Sequence, residues 1–299
     1  MTTLNLGYLA TFRLVVQRGS FSAAADVLGI SQPAVSLQVR QLEQFLQARL
    51  IERTGRGVKA TAAGMALLLH GERIEQAVNE AVQSVNECSE QVSGEITLGT
   101  GATACIHLLP PMLQELRERY PLLTVGVTTG NTPDIVRAIE ENRLDLGLVT
   151  LPASGRSLEV MAAQREEFVL IIAAAQRVPT ATPAGLRALP LIAFEQGSGT
   201  RSLIDGWFQR AGVEARPVMQ LGSIEAIKRM VAAGLGYSII PRMAVEAPRD
   251  REGLHVSSLA PLLHRQLAVV MRQDKILSKG IAELVKLLQR VPSGLINQL

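Results

Sequence analysis

The sequence predicts an α/β protein with more than one folding unit, and three observations carry this prediction. The chain has 299 residues, of which 47% are apolar and 19% charged, so it is long enough to bury separate cores. Residues 6–46 and 61–92 have apolar residues at helical spacing, whereas residues 95–289 alternate between short apolar runs and helical patterns. Such alternation is typical of largely parallel sheets covered by helices.

The composition argues against several classes of protein. Two cysteines, Cys88 and Cys105, in a chain of this length fit a reducing compartment better than a disulfide framework. The first six residues have no basic residue and lead into no cleavage site, so we expect no secretory signal. No run of about 18 apolar residues predicts a membrane span. Together these features predict a cytoplasmic protein with no membrane partner.

Positive charge is concentrated at the N-terminus. Residues 1–60 contain seven basic and three acidic residues, while the whole chain has a formal net charge of +3. An excess of this kind favours an anionic polymer as partner, although differences of this size also occur in proteins that bind none.

Three helices are predicted in this basic segment. Leu6, Leu9, Phe12 and Val16 mark the first. Ser22 is expected to cap a second helix at residues 23–28 that ends at Gly29. Ser31 is expected to cap a third, with Pro33 in its first turn, whose buried stripe is Val35, Val39, Leu42 and Leu46. The tight turn at residues 29–31 predicts a helix-turn-helix, and an ordinary helical hairpin is the alternative.

The outer face of the third helix favours nucleic acid. Gln32, Ser36 and Arg40 lie four residues apart, so they project together from the side opposite the apolar stripe. Gln and Arg are the residue types that make bidentate contacts with adenine and guanine in the major groove. We therefore predict that these three side chains contact base edges and that Pro33 places the start of the helix against the groove.

A basic hairpin is predicted directly after this helix. Residues 49–61 have Gly55 and Gly57 at the expected tip, and basic residues on both sides of it. Such a wing would place Arg53, Thr54 and Arg56 against phosphates or in a minor groove.

Residues 61–92 are predicted to form one long helix with a coiled-coil seam. Apolar residues step by four and three along it, at Ile74, Val78, Ala81, Val85, Cys88 and Val92. We expect two chains to pair along this seam, with Cys88 as a small buried apolar residue. The alternative is a helix that packs on its own domain.

Hydroxyl groups and glycines follow the ends of the predicted strands in the second half of the chain. Free backbone N–H groups at a helix start and an adjacent arginine favour an anion, so these turns predict a site for a small carboxylate or inorganic oxyanion. The alternative is that residues 197–200 form only a turn and that Arg201 lies at the surface. The predicted site residues are Thr100, Gly101, Ala102, Thr103, Thr129, Thr150, Ser198, Gly199, Thr200 and Arg201.

Patterns typical of catalysis are weak or missing. Residues 99–104 fit G-x-G-x-x-A, but Glu115 and Glu118 come too early to bind the ribose of a dinucleotide. Cys105 and His107 have no second ligand pair at a spacing that suits a metal. The sequence contains no Walker motif and no G-x-S-x-G motif. We predict no catalytic residue, no metal site and no cofactor.

Residues 4–64 resemble the winged helix-turn-helix of LysR-type transcriptional regulators. The resemblance is carried by residues 21–43, FSAAADVLGISQPAVSLQVRQLE, and by the Leu-Ile-Glu-Arg segment at residues 50–53. It extends at family level to about residue 290, most typically through residues 142–148 and 232–241. Leu37 stands where some members carry arginine, so their base preference cannot be transferred to this chain.

The resemblance implies a winged helix-turn-helix domain at residues 1–60, a linker helix at 61–92 and a two-lobed, periplasmic-binding-protein-like effector domain at 93–299. Lobe I would comprise about 93–162 plus 266–299, and lobe II about 163–265. The implied partners are double-stranded promoter DNA, a small-molecule effector, further copies of the chain in a dimer or homotetramer, and RNA polymerase if the protein activates transcription. A free solute-binding protein and a dehydrogenase-like enzyme are the alternative functions.

Overall fold

The computed structural model describes residues 3–54, 57–86, 92–155 and 157–290. The chain forms two compact units, Met1–Val82 and Gln83–Leu299. Within the described residues no helix is long and apolar enough to cross a membrane. The first unit consists of α1 (Leu6–Arg18), α2 (Phe21–Leu28), α3 (Gln32–Leu46), β1 (Ile51–Thr54), β2 (Gly57–Ala60) and the start of α4 (Ala62–Asn86).

Helices α2 and α3 begin at serine caps, as the sequence indicates, but the cap of α2 differs from the prediction. Ser20, with extended backbone, accepts a hydrogen bond from Ala23 N through its side chain, and Ser22 lies inside the helix. The prediction of Ser22 was therefore wrong by two residues. Ser31 caps α3 as predicted, and Gly29 ends α2 in the left-handed conformation, which costs glycine little.

The core of the first unit holds the three helices and the wing together. Its buried side chains come from one face of each helix and from the residue before β1: Leu9, Phe12, Val15, Ala24, Ala25, Val35, Val39, Leu42 and Leu50. The wing is also fixed at its base, because Val58 N donates to Gly19 O at 3.0 Å. On the other side, Glu43 Oε1 accepts from Leu50 N at 2.8 Å and from Ile51 N at 3.3 Å.

Helix α4 has two kinds of environment along the predicted seam. Ile74 packs against the core of its own unit, whereas Val78 and Ala81 are exposed. The side chain of Val85 and the whole of Cys88 lie outside the described residues. Val92 follows the end of α4 and packs against a core of the second unit. The seam prediction was thus wrong at Val92 and stays a prediction for the exposed positions.

The second unit alternates strands and helices, with two short 3₁₀ turns at Arg242–Val245 and Pro248–Arg251. Its elements are β3 (Gly94–Thr100), α5 (Ala102–His107), α6 (Leu109–Arg119), β4 (Leu123–Thr129), α7 (Thr132–Glu140), β5 (Leu146–Thr150), β6 (Leu158–Ala173), α8 (Pro183–Leu186), β7 (Leu191–Phe194), α9 (Gly199–Gln209), β8 (Pro217–Leu221), α10 (Ile224–Ala232), β9 (Ser238–Pro241), β10 (Leu254–Arg272) and α11 (Lys279–Gln289).

The sheet is mixed, so the prediction of largely parallel sheets was only partly right. Six strands lie in the order β4-β3-β5-β10-β6-β9, and β7 and β8 form a separate parallel pair. Strand β3 is parallel to β4 and β5, but β10 is antiparallel to both β5 and β6. Strands β6 and β10 are 16 and 19 residues long and pair along most of their length, so this antiparallel pair forms a large part of the sheet.

Strands β6 and β10 run through two separate cores, which define two lobes. The core of the first lobe includes Ile96, Leu146, Val269 and Leu284, and the core of the second includes Phe168 and Trp207. The pairing of β6 with β10 shifts register between Leu267 and Ala268, close to where the strands pass from one lobe to the other.

Candidate nucleic-acid interface and ligand cleft

The outer face of α3 presents the side chains that the sequence singled out. Gln32, Pro33 and Arg40 are exposed and Ser36 is half-buried, while Val35 and Val39 on the opposite face are buried. Within the described part of the chain, neither the Gln32 side chain nor the Arg40 side chain forms a hydrogen bond or ion pair with another residue. Their polar groups are therefore free to bind an external partner.

The orientation of α3 is fixed by contacts with α1. Thr11 Oγ1 donates to Gln38 Oε1 at 2.6 Å and to Gly7 O at 3.0 Å, from a position that is 3% exposed. Leu37, which is 52% exposed, lies beside Ser36 on the outer face. An exposed leucine here offers apolar contact of the kind that reads a thymine methyl group.

The wing is formed as predicted, although its tip cannot be described. Arg53 pairs with Val58 and Thr54 with Gly57 in the antiparallel hairpin. The side chains of Arg53 and Thr54 and the whole of Arg56 lie outside the described residues. Their predicted contacts with phosphates therefore stay predictions.

A cleft of about 400 Å³ lies between the two lobes of the second unit. The start of α5 and the ends of β4 and β5 line it from the first lobe, and the start of α9 lines it from the second. Eight of the ten residues predicted for the site lie along this cleft: Gly101, Ala102, Thr103, Thr129, Thr150, Ser198, Gly199 and Thr200.

Thr100 and Arg201 do not line the cleft, so their prediction as ligand-contacting residues needs correction. Thr100 is fully buried and its Oγ1 donates to Leu148 O at 3.1 Å. Arg201 Nε lies 2.8–2.9 Å from both carboxylate oxygens of Asp205, and Nη1 donates to Phe194 O at 3.0 Å. The guanidinium of Arg201 therefore holds α9 against β7, and only its backbone N–H, bonded to Ser198 Oγ, belongs to the helix start.

Arg265 supplies the positive charge that the sequence assigned to Arg201. It lines the cleft from β10, with Nη1 3.4 Å from Thr200 Oγ1 and the guanidinium 5.5 Å from the centre of the Phe168 ring. Its Nε donates to Glu166 Oε2 at 2.5 Å, and both residues are buried. Burial raises the pKa of the Glu166 carboxyl, and the nearby Arg265 opposes that rise.

The remaining polar groups of the cleft mix acceptors and donors. Asp134 and Glu195 are exposed carboxylates in its lining, and Asn131, Thr132 and Ser223 add neutral groups. Glu166, which does not line the cleft, lies behind Arg265, and its Oε1 is buried without a hydrogen-bond partner among the described residues. The cleft thus suits a small polar ligand that both donates and accepts hydrogen bonds.

Sequence reasoning missed several of these lining residues for identifiable reasons. Asn131 and Ser223 follow β4 and β8 at helix starts, so the rule that found Ser198 would also have found them. Arg265 and Glu166 lie in the middle of long strands, and no local signal marks them. Pairing of β6 with β10 brings them together across 99 residues of sequence.

A charged cluster joins the two lobes beside the cleft. His107 Nε2 of α5 lies 3.3 Å from Glu225 Oε1 of α10, and Lys228 Nζ lies 2.9 Å from the same oxygen and 3.2 Å from Asp250 Oδ1. Burial, together with the charge of Lys228, lowers the pKa of His107. Within the described residues, no group of three His, Cys, Asp or Glu side chains is placed to hold a metal ion.

Comparison with known proteins assigns both units. The family model described as bacterial regulatory helix-turn-helix protein, lysR family, matches residues 6–65, and the one described as LysR substrate binding domain matches residues 89–293. The chain is 32% identical to an uncharacterised HTH-type transcriptional regulator, YfeR, of Shigella flexneri, over 92% of this chain and 90% of that protein. It is 31% identical to the HTH-type transcriptional regulator YofA of Bacillus velezensis, over 96% and 99% of the two chains.

A solved structure agrees over nearly the whole length. Full-length CbnR in complex with its target DNA has a TM-score of 0.73 and 25% identity to this chain. The match covers 96% of this chain and 99% of CbnR. The fold of both units is therefore that of a DNA-binding regulator.

Proposed function

This chain belongs to the LysR family of transcriptional regulators and is not an enzyme, and we propose a separate role in regulation for each of its two units. Helix α3 and the wing read promoter DNA, and a small ligand in the cleft changes that reading. The observation that carries the proposal is the outer face of α3, where exposed Gln32 and Arg40 have no partner among the described residues.

The DNA contacts divide into two kinds. Gln32, Ser36 and Arg40 reach base edges in the major groove, and Pro33 sets the start of α3 against it. Arg53, Thr54 and Arg56 bind phosphates or the minor groove from the wing.

The ligand is a small carboxylate that also carries hydrogen-bond donors. The cationic Arg265 and the hydroxyls of Thr103 and Thr200 favour a carboxylate group at one end. The carboxylates of Asp134 and Glu195 favour hydroxyl or amino groups on the rest of the molecule. These two acidic groups favour such a ligand over an inorganic oxyanion.

Regulation requires the ligand to bind one arrangement of the lobes more tightly than another, because equal affinity would change nothing. We place the pairing of two chains on α4, along the predicted seam, where Val78 and Ala81 are exposed. A homotetramer in the cytoplasm would then place pairs of DNA-binding units on promoter DNA. RNA polymerase would be a further partner if the protein activates transcription.

Fluorescence anisotropy of the gene's own upstream DNA against a scrambled duplex tests the DNA part of the proposal. We expect tighter binding to the upstream duplex and a steep loss of affinity as salt increases. A panel of hydroxy- and amino-carboxylates is then titrated into the complex, with sulfate as the inorganic comparison. Equal binding to both duplexes by a folded protein, repeated on genomic fragments, would contradict the proposal.

The variant Gly101→Phe separates ligand binding from DNA binding. Gly101 lines the cleft with φ −71° and ψ 148°, which any residue adopts, and an added Cβ would meet no atom within 4 Å. The backbone therefore accepts a phenylalanine, and we expect its ring to occupy part of the cleft. We expect loss of the ligand response with DNA affinity unchanged; Gly212→Ala, strained at φ 68° and outside the cleft lining, shows what simple destabilisation does.

A further inference from the structure

A second cavity, of about 540 Å³, lies in the second lobe. No described residue lines both this cavity and the cleft between the lobes. Its wall is largely apolar, formed by Ile172, Val178, Pro179, Leu189 and Pro190. A volume of this size is within the range of small-molecule sites in proteins.

Tyr237 provides a buried polar group in the wall of this cavity. The residue as a whole is 2% exposed and lines the cavity. Its hydroxyl forms no hydrogen bond with a described residue and is not fully enclosed by the protein. Burial raises the pKa of this phenol, so it stays protonated and able to donate. A hydroxyl that lines a cavity and has no partner among the described residues is available to a ligand.

The backbone holds this tyrosine in place. Tyr237 N donates to Pro190 O at 3.0 Å, and Ile192 N donates to Tyr237 O at 2.9 Å. The ring is therefore anchored to the start of β7 and does not depend on a ligand for its position.

Arg177 supplies a positive charge at the exposed side of the cavity. It lines the cavity and forms no ion pair or hydrogen bond with any residue in the described part of the chain. Beside it, Gln176 Nε2 donates to Gly234 O at 3.2 Å and fastens this segment to the end of α10. An available guanidinium next to an apolar wall suits a carboxylate with an apolar body.

We propose that this cavity is a second ligand site, which takes a small apolar carboxylate of about the size of benzoate. The carboxylate binds Arg177, the apolar body lies against Ile172, Val178 and Leu189, and the Tyr237 hydroxyl donates to an oxygen of the ligand. The cavity differs in chemistry from the cleft, whose lining includes Asp134 and Glu195. The proposal does not depend on the ligand assigned to the cleft.

Isothermal titration of the full-length protein with benzoate tests the site. The titration is done on the Gly101→Phe variant, so that binding in the cleft does not contribute. We expect one benzoate per chain, and at least about tenfold weaker binding of the neutral analogue benzamide. Arg177→Gln should weaken benzoate binding about tenfold or more, and Tyr237→Phe about fivefold.

Arg187→Gln is the matched control, because Arg187 is an exposed arginine of the same lobe that does not line the cavity. It should leave benzoate affinity unchanged. Thermal unfolding shows whether each variant is folded. If Tyr237→Phe is unstable, Arg177→Gln still tests the site, because replacing an exposed side chain should not disturb the fold. Absence of benzoate binding, or equal affinities of the Arg177→Gln and Arg187→Gln variants, would overturn the proposal whatever the outcome of the DNA experiments.

Discussion

The outer face of α3 and the floor of the cleft each present an arginine, and the two guanidinium groups differ in exposure and in whether they have a partner. Arg40 is exposed with no partner among the described residues, whereas Arg265 is 8% exposed and bonded to the buried Glu166. Water solvates the first charge, and the protein compensates the second. In the proposed function, Arg40 would therefore meet DNA with an available charge, whereas a ligand at Arg265 would share a charge that already has an internal partner.

The largest effect that this difference predicts is on stability. Arg265→Ala leaves the Glu166 carboxylate buried without its partner, which typically costs about 3–5 kcal/mol. We expect this loss in chemical unfolding of the effector unit, together with loss of the ligand response. Glu166→Gln with Arg265→Met, which removes both charges, should recover much of the stability but not the response.

An exposed ion pair gives the control for this prediction. Arg216 Nη2 lies 2.8 Å from Glu214 Oε2, and the Arg216 side chain is 83% exposed. Exposed pairs contribute little, so Arg216→Ala should change stability by less than about 1 kcal/mol. Similar losses of unfolding free energy for Arg265→Ala and Arg216→Ala would contradict the prediction that the buried, paired arginine matters more for stability than the exposed one.

The next effect concerns DNA alone. Arg40→Ala removes a side chain that packs on nothing in its own unit, so we expect unchanged thermal stability and a loss of about 1–3 kcal/mol in discrimination between the specific and scrambled duplexes. Arg73→Ala removes the same charge from an exposed position on α4 and should leave discrimination intact. If Arg40→Ala weakens binding to both duplexes equally, Arg40 contacts phosphate and not a base.

A smaller effect tests the helix cap that sequence reasoning misplaced. Ser20→Ala removes the side chain that caps α2 and should destabilise the DNA-binding unit by about 1 kcal/mol. Ser22→Ala, at an exposed position inside the same helix, should be neutral or slightly stabilising. Urea unfolding of the two variants compares them directly, and equal midpoints would contradict the assignment of the cap.

The smallest effect is the pH dependence of stability that His107 contributes, because a single half-buried group is involved. Its pKa is lowered in the folded protein, chiefly by burial and then by Lys228. The unfolded chain therefore takes up a proton more readily, and stability should fall as the pH decreases below about 6.5. His107→Gln should flatten this decline between pH 7 and 5. An unchanged slope would assign the effect elsewhere, for instance to His264, whose pKa burial also lowers.

The sequence predicted the first unit better than the second, and the reason is the range of the interactions. The stripe of α3, the Ser31 cap and the wing depend on residues a few positions apart, so periodicity reveals them. The cleft is assembled from the ends of separate strands, and local turn patterns located eight of its lining residues. Arg265 and Glu166 escaped, because only the register of β6 with β10 joins them.

The misassignment of Arg201 has a related cause. An arginine at a helix start after a glycine-rich turn fits an anion site, and sequence alone does not show that Asp205, one helical turn later, already binds it. The i,i+4 spacing of Arg201 and Asp205 is compatible with an ion pair, and the structure shows that the pair forms.

The two long strands that connect the lobes restrict how the effector unit can move. Two strands that pair over most of their length resist sliding past each other, because sliding would break the hydrogen bonds between them. We therefore expect a change in the angle between the lobes to bend this strand pair, with the register shift beside Leu267 as the pivot, because the regular pairing is interrupted there. The displacement of a residue then increases with its distance from that pivot. A small change in the cleft would therefore move the helices farthest from Leu267 the most.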